Sequence, residues 1–169
     1  TSDDKQQLLR LKEKDQKLSI VSREFGKFTI ACSDPDGYPE FDWSAIEFSH
    51  TITALDLCSM LKRSYFAAGK QETSYSLNAV QIRASKGQLS GAATDNRRLA
   101  YCRVPARGSQ EWSAVVPSDW VKKIIDITSR MADEEELSIF ADDEKILVGS
   151  AATNLHSHTL SRPFPQYEA

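Results

Sequence analysis

Cysteine is sparse in this sequence: Cys32, Cys58 and Cys102 lie far apart and no CxxC occurs. That spacing supports neither a metal site nor a redox dithiol, and buried free thiols in a reducing compartment are the expectation. Long apolar runs are missing too. None approaches the roughly 20 residues of a bilayer span, so no membrane partner is expected. The amino-terminal stretch TSDDKQQLLRLKEKD is polar and alternating rather than signal-like, which makes the cytoplasm the expected location. GxSxG, HExxH, Walker and GxGxxG patterns are absent, and nothing in the sequence asks for a cofactor. Positive charge is not in excess either, with 21 Lys and Arg against 24 Asp and Glu and a net charge of −3. A protein that coats nucleic acid with its whole surface is disfavoured, while a local basic face is allowed.

The 169 residues, 40% hydrophobic and 27% charged, suit a soluble globular chain of one domain plus part of another. Hydrophobic periodicity gives a repeating order of elements. Residues 45–50 alternate as a short strand, and residues 52–66 then change period. Leu55, Cys58, Leu61 and Tyr65 recur at helical steps, and Gly69 with Lys70, Gln71 and Glu72 makes a polar loop. Three strands follow at 74–85, 88–94 and 97–104, the first pair joined through Lys86-Gly87.

The order then recurs. Residues 112–116 form a strand and Pro117 opens a helix, with Ser118 and Asp119 suited to its first turn. Trp120, Val121, Ile124, Thr128 and Met131 share one helical stripe, and three more strands follow near 135–141, 144–151 and 155–162. The fold class this predicts is α+β: a duplicated strand-helix-three-strand unit with two helices packed on antiparallel sheets. Residues 1–41 fit a truncated copy, with strands at 6–12, 17–22 and 25–31, a turn at Asp15-Gln16 and a linker through Asp34-Pro35-Asp36-Gly37-Tyr38-Pro39. The chain is expected to begin inside that earlier copy, leaving three strands with an uncovered apolar face.

The stretch SYSLNAVQIRASKGQLSGAATDNRRLAYCRV, from Ser74 to Val104, combines YxLNxV, GxLxxxATD and RRLA. In this it resembles the central domain of the bacterial DNA polymerase III beta subunit, the ring-shaped sliding clamp. Gly37-Tyr38-Pro39-Glu40-Phe41 and Phe164-Pro165-Gln166-Tyr167 resemble the family's connections on either side of that domain. The resemblance implies a DNA-clamp fold, with 1–41 as the end of the first domain and 42–169 as the central domain. The third domain would lie beyond Ala169. It also implies no catalysis: the protein would be a processivity factor, a homo-oligomeric ring around duplex DNA held weakly and without sequence preference. DNA polymerase III and clamp-loader subunits would be tethered to it through short peptides.

By the same resemblance, Leu77, Thr94, Asn96, Arg97, Arg98, Leu99 and Pro165 are the peptide-pocket positions. Asn96-Arg97 stands where the family usually has Gly-His, and Ala79 where glycine is common. Asparagine tolerates the left-handed conformation, so the turn is expected to survive, with Arg97 recharging its rim. Ordinary core is the alternative for Leu77 and Leu99, a linker for Pro165, and plain turn-shaping for Thr94 and Asp95. Arg97 and Arg98 point to opposite faces if both are in a strand. Lys62 and Arg63 on the first helix, and Lys122, Lys123 and Arg130 on the second, match helices that face DNA in the family. The alternative is a solvated helix surface diluted by Asp56 and Asp126. Two rival functions stay open: a clamp-like adaptor that never closes a ring, and a metal hydrolase using Asp95 or the His156–His158 pair, for which no third ligand is identifiable.

Overall fold

The computed structural model describes residues 9–24, 26–37, 46–70 and 77–167. Its contacts divide into two units, Thr1–Ile46 and Glu47–Ala169. In the first, β1 (Arg10–Lys14), β2 (Lys17–Ser22) and β3 (Gly26–Ala31) pair antiparallel in that order, and a 3-10 turn follows at Pro35–Gly37. Asp15 and Gln16 take φ of 54° and 55°, the left-handed pair of a two-residue hairpin. Cross-strand pairing gathers Leu11, Ile20 and Phe28 with Leu18 and Ile30 on one face. Leu11, Phe28 and Ile30 on this face are all more than half exposed. The expected strand starts at Gln6 and Phe25, linker positions 38–41, Ala45, loop residues Gln71 and Glu72, and positions 74–76 with Tyr75 lie outside the described residues.

The second unit runs β4 (His50–Thr53), α1 (Ala54–Tyr65), β5 (Ala79–Ser85), β6 (Gln88–Thr94), β7 (Leu99–Pro105), β8 (Arg107–Gly108), β9 (Trp112–Pro117), α2 (Ser118–Thr128), β10 (Glu136–Ala141), β11 (Lys145–Gly149) and β12 (Asn154–His158). Both copies of the strand-helix-three-strand order are therefore present. Strand β8 stands between them, unannounced in the sequence because two residues carry no alternation. One sheet has the order β7-β6-β5-β9 and the other β12-β11-β10-β4-β8. Each copy thus lends its first strand to the sheet of the other, which makes the two halves one folding unit.

Several boundaries differ from expectation. The strand anticipated at 45–50 begins at His50, and its inward positions are His50 and Ile52. Thr53 then fixes the helix start: its Oγ1 accepts from the Asp56 amide at 3.1 Å and donates to the Asp56 carboxylate at 3.0 Å. With α1 starting there, the buried positions are Ala54, Leu57, Cys58, Met60, Leu61 and Ser64. Leu55, expected on the apolar stripe, is instead 52% exposed. In α2 the stripe holds: Val121, Ile124 and Thr128 are buried, Trp120 and Met131 partly so. Pro117 caps that helix from outside, and Arg130 lies past its last residue, Thr128.

Both helices and both sheets meet in one apolar cluster. Leu57, Met60 and Leu61 of α1, Ile82 and Leu89, Ile124 of α2, and Leu137, Ile139 and Ile146 are its largest members. Helix α1 lies close on β6, where a Cβ on Gly91 would stand 2.9 Å from Ser64 Oγ. Buried His50 ties the sheets together. Its Nε2 lies 3.2 Å from the Ser85 carbonyl and its Nδ1 lies 3.1 Å from Ser49 Oγ, which accepts from Trp112 Nε1 at 2.7 Å. A carbonyl only accepts, so Nε2 carries the proton.

Candidate functional site

The outer face of the four-stranded sheet, turned away from the helices, collects most of the pocket positions. Strand alternation sends Val80, Ile82 and Ala84 into the main core, leaving Ala79 and Gln81 outward. The register Gln81↔Ala92↔Tyr101, with Thr94↔Leu99 next to it, puts Tyr101, Thr94 and Leu99 on that same face. Leu99 and Tyr101 are each 47% exposed, so this patch is apolar and accessible.

Thr94 to Leu99 forms a closed turn built by its own side chains. Asn96 takes φ of 71°, the left-handed conformation anticipated for it. Thr94 Oγ1 donates to the Arg98 carbonyl at 2.8 Å and accepts from the Asn96 amide at 3.2 Å. Asp95 Oδ1 accepts from the Arg97 and Arg98 amides, both at 3.1 Å, and Oδ2 accepts from Arg98 Nε at 2.9 Å. The Arg97 amide above all, with the Arg98 amide and guanidinium, holds the Asp95 carboxyl below its usual range against the opposing effect of desolvation. Arg97 and Arg98 are in the turn, before β7 begins, so strand alternation does not set their directions. Arg98 folds back on Asp95 and lies over the Phe66 ring, 5.9 Å from its centroid. Phe66, just past α1 and 58% exposed, had no place in the helical stripe and so gave no signal in the sequence.

The carboxyl-terminal segment crosses this face. The Leu160 amide donates to the Val115 carbonyl at 2.8 Å, and Leu160 and Phe164 pack on a small cluster of Leu77, Ala79 and Val115. Tyr167 donates to Gln81 Oε1 at 3.1 Å, and its ring sits 5.9 Å from Tyr101 and 5.8 Å from Phe164. Pro165 is exposed and lines a shallow cleft with Gln81, Arg83, Phe164, Gln166 and Tyr167. Leu77, at 6% exposure, lies beneath this strap, whereas Leu99 is open. The turn and the strap therefore converge on one sheet face, with Leu77 as its floor. Tyr101 escaped the sequence reading, although its two-residue offset from Leu99 was the available signal.

The cations on the helices form a separate surface. Lys62 and Arg63 on α1, Lys122 and Lys123 on α2, and Arg130 beyond it are all exposed. The helices pack together, with the Cys58 thiol 3.9 Å from the Ile125 carbonyl. Asp119 and Asp126 are exposed on α2 as well, so the surface is mixed in sign. His156 and His158 share a face of β12 with ring centroids 5.2 Å apart, and desolvation chiefly, with His158 and Lys145, lowers the His156 pKa. Among the described residues no group of three His, Cys, Asp or Glu side chains is placed to hold a metal ion, and no helix is long and apolar enough to cross a membrane.

Comparison with known proteins matches this chain to one family. The model of the DNA polymerase III beta subunit central domain fits residues 51–166. The beta sliding clamp of Chlamydia pneumoniae is 32% identical over 126 residues, covering 73% of this chain and 33% of that protein. The clamp of Pseudomonas putida is 26% identical over 164 residues, covering 95% and 44%. Among solved structures, the DNA polymerase III subunit beta of Pseudomonas aeruginosa superposes with a TM-score of 0.82 at 21% identity, over 94% of this chain and 43% of that one. The sliding clamp of Bacillus subtilis gives 0.82 at 20% identity, over 94% and 42%. The chain spans less than half the length of these relatives. It belongs to the DNA polymerase III beta-subunit family, the sliding clamps, and residues 51–166 carry that family's central domain.

Proposed function

We propose that this chain is part of a DNA polymerase processivity factor, a non-catalytic sliding clamp, with 1–41 contributing the end of a first domain and 42–169 the central domain. The whole protein would close as a homo-oligomeric ring around duplex DNA in the cytoplasm. Lys62, Arg63, Lys122, Lys123 and Arg130 would meet phosphates weakly and without reading bases. Tight phosphate contacts would impede sliding, and the acidic residues interspersed on α2 suit a weak surface.

Partners such as DNA polymerase III and clamp-loader subunits would be held by short peptides at Leu77, Thr94, Asn96, Arg97, Arg98, Leu99 and Pro165. The observation that carries this reading is the self-bonded Thr94–Leu99 turn, which leaves Leu99 half exposed beside the tail strap. Each apolar peptide anchor buried there contributes roughly 1.5–3 kcal/mol, enough for modest affinity that tethering converts into high local concentration.

Titrating a QLxLF-type peptide against the chain in its full-length context tests the pocket. Saturable binding, weakened by Leu99→Ala, is expected; no binding at all sinks the pocket. Retention of the full-length protein on circular but not linear DNA tests the ring, and a stable monomer that is not retained would leave an adaptor instead.

A further inference from the structure

We propose that the basic face of the amino-terminal three-stranded sheet is a contact surface for the phosphate backbone of nucleic acid, additional to the helix cations and independent of the clamp reading. The register alone creates it. Arg10 pairs across to Val21 and Lys27, Lys12 to Ser19 and Thr29, and Lys14 to Lys17 and Ala31. Directly paired residues share a face, so Arg10, Lys12, Lys14, Lys17 and Lys27 project from one side of the sheet. All of them are exposed. The acidic residue within these strands, Glu13, pairs with Leu18 on the opposite, apolar face. Asp15 and Glu24 lie in the two turns, and Lys14–Asp15 at 4.0 Å is the one ion pair these cations make among the described residues. Among the described residues this patch holds no interspersed acid, in a chain whose net charge is −3.

Protection of an exposed strand edge is the competing account of these lysines. It explains the cations on β1 and Lys27 on β3, both of them edges, but not Lys17 on the central strand β2. The chemistry of the face selects among polyanions. Among the described residues Val21 and Ala31 are its only apolar side chains, so no aromatic or leucine anchor of the kind a peptide partner or a membrane surface would engage is placed there. Ser19 and Thr29 place hydroxyl donors between the cations, suited to phosphate oxygens. Four of the five cations are lysines, point charges that attract phosphate without the forked geometry of sequence reading. On β1 the cations recur every second residue, about 6.8 Å apart, so the row follows an extended backbone for about 14 Å.

The test is lysine footprinting of the unmodified chain by amine acetylation, with and without a short DNA duplex of random sequence. Lys12, Lys17 and Lys27 are expected to be protected by DNA, and their unchanged reactivity overturns the proposal. Protection at Lys62, Lys122 and Lys123 reports on the helix surface separately, so either surface can fail alone. Salt-dependent anisotropy provides the second arm. With about three phosphates engaged, a slope near −2.7 makes a fourfold rise in salt weaken binding by about 40-fold. The triple variant Lys12→Gln, Lys17→Gln, Lys27→Gln should flatten that slope by about 2 units or more, while the corresponding Lys→Arg triple retains it. A Gln triple that binds like the parent, or an Arg triple that loses binding as the Gln triple does, removes the electrostatic basis. Labelled polyglutamate bound as tightly as DNA would reassign the face to acidic polypeptides and overturn it too.

Discussion

Arg98 turns back on Asp95, its Nε donating to the carboxylate at 2.9 Å, so one of the two cations of the turn is paired within the turn. Among the described residues Arg97 makes no such side-chain bond, and in the proposed pocket it would be the charge left to meet a ligand. Asp95→Asn keeps an acceptor for the two backbone amides but loses the charge that holds Arg98. Asp95→Ala loses both. Amide exchange at Arg97 and Arg98 should therefore accelerate strongly in the alanine variant and only slightly in the asparagine one. Equal exchange in both would mean that the amide bonds do not set the turn.

The depressed Asp95 pKa gives this turn a definite acid limit. The folded value lies below the ordinary 3.8, so the contribution is complete above about that pH and is lost as pH falls through the folded value. An NMR titration of the Asp95 carboxyl should give a midpoint below that of the same residue in an unfolded peptide, and Arg98→Gln should move it upward. No movement would leave the amides as the sole cause.

Asn96 stands at φ of 71°, where a Cβ is costly and asparagine is among the tolerated side chains. Asn96→Gly should leave stability within a few tenths of a kcal/mol, whereas Asn96→Val should cost roughly 1–2 kcal/mol by denaturant unfolding. A neutral valine would show that the turn relaxes to another conformation.

These details mark where the sequence spoke and where it fell silent. Alternation locates β2 and β6 to the residue, and the helical period gives the apolar stripe of α2, because each of these elements carries a clear period of its own. The Thr94–Leu99 turn was legible through residue types that bond to their own backbone. What failed was anything set by partners distant in sequence. Leu55 fits a helical period but lies outside the arc that α1 buries. The exchange of β4 and β9 between sheets leaves no local trace, because a strand's alternation does not say which neighbour it joins. Phe66 and Tyr101 acquire their place on the site only once α1 and β7 are packed.

Gly108 illustrates a long-range constraint. A Cβ there would stand 2.4 Å from both His50 Cδ2 and the Ser49 carbonyl oxygen, on a backbone at φ of 157°. Gly108→Ala must displace the ring that joins the sheets, and a loss of roughly 1–3 kcal/mol is expected by denaturant unfolding. His50→Phe removes the Nε2 donor and leaves the Ser85 carbonyl without it, with a similar expected cost of roughly 1–3 kcal/mol. An unchanged unfolding midpoint in either variant would contradict the proposed bridge.

Leu77 and Leu99 differ sharply in exposure, which gives their substitutions different expected outcomes. Leu77 is 6% exposed beneath Leu160 and Phe164, so Leu77→Ala should leave a cavity and cost roughly 2–5 kcal/mol of stability. Leu99 is 47% exposed at the start of β7, and Leu99→Ala removes little buried surface from the isolated protein. Its expected stability change is within about 0.5 kcal/mol. If the face receives an apolar peptide side chain, Leu99→Ala should weaken peptide binding by at least about tenfold while leaving the melting temperature nearly unchanged, since an anchor contact of ~1.4 kcal/mol corresponds to that factor. Calorimetric titration beside thermal unfolding measures both. A Leu99→Ala protein that unfolds early yet binds peptide normally would make Leu99 a core residue and leave the outer sheet face without its proposed role.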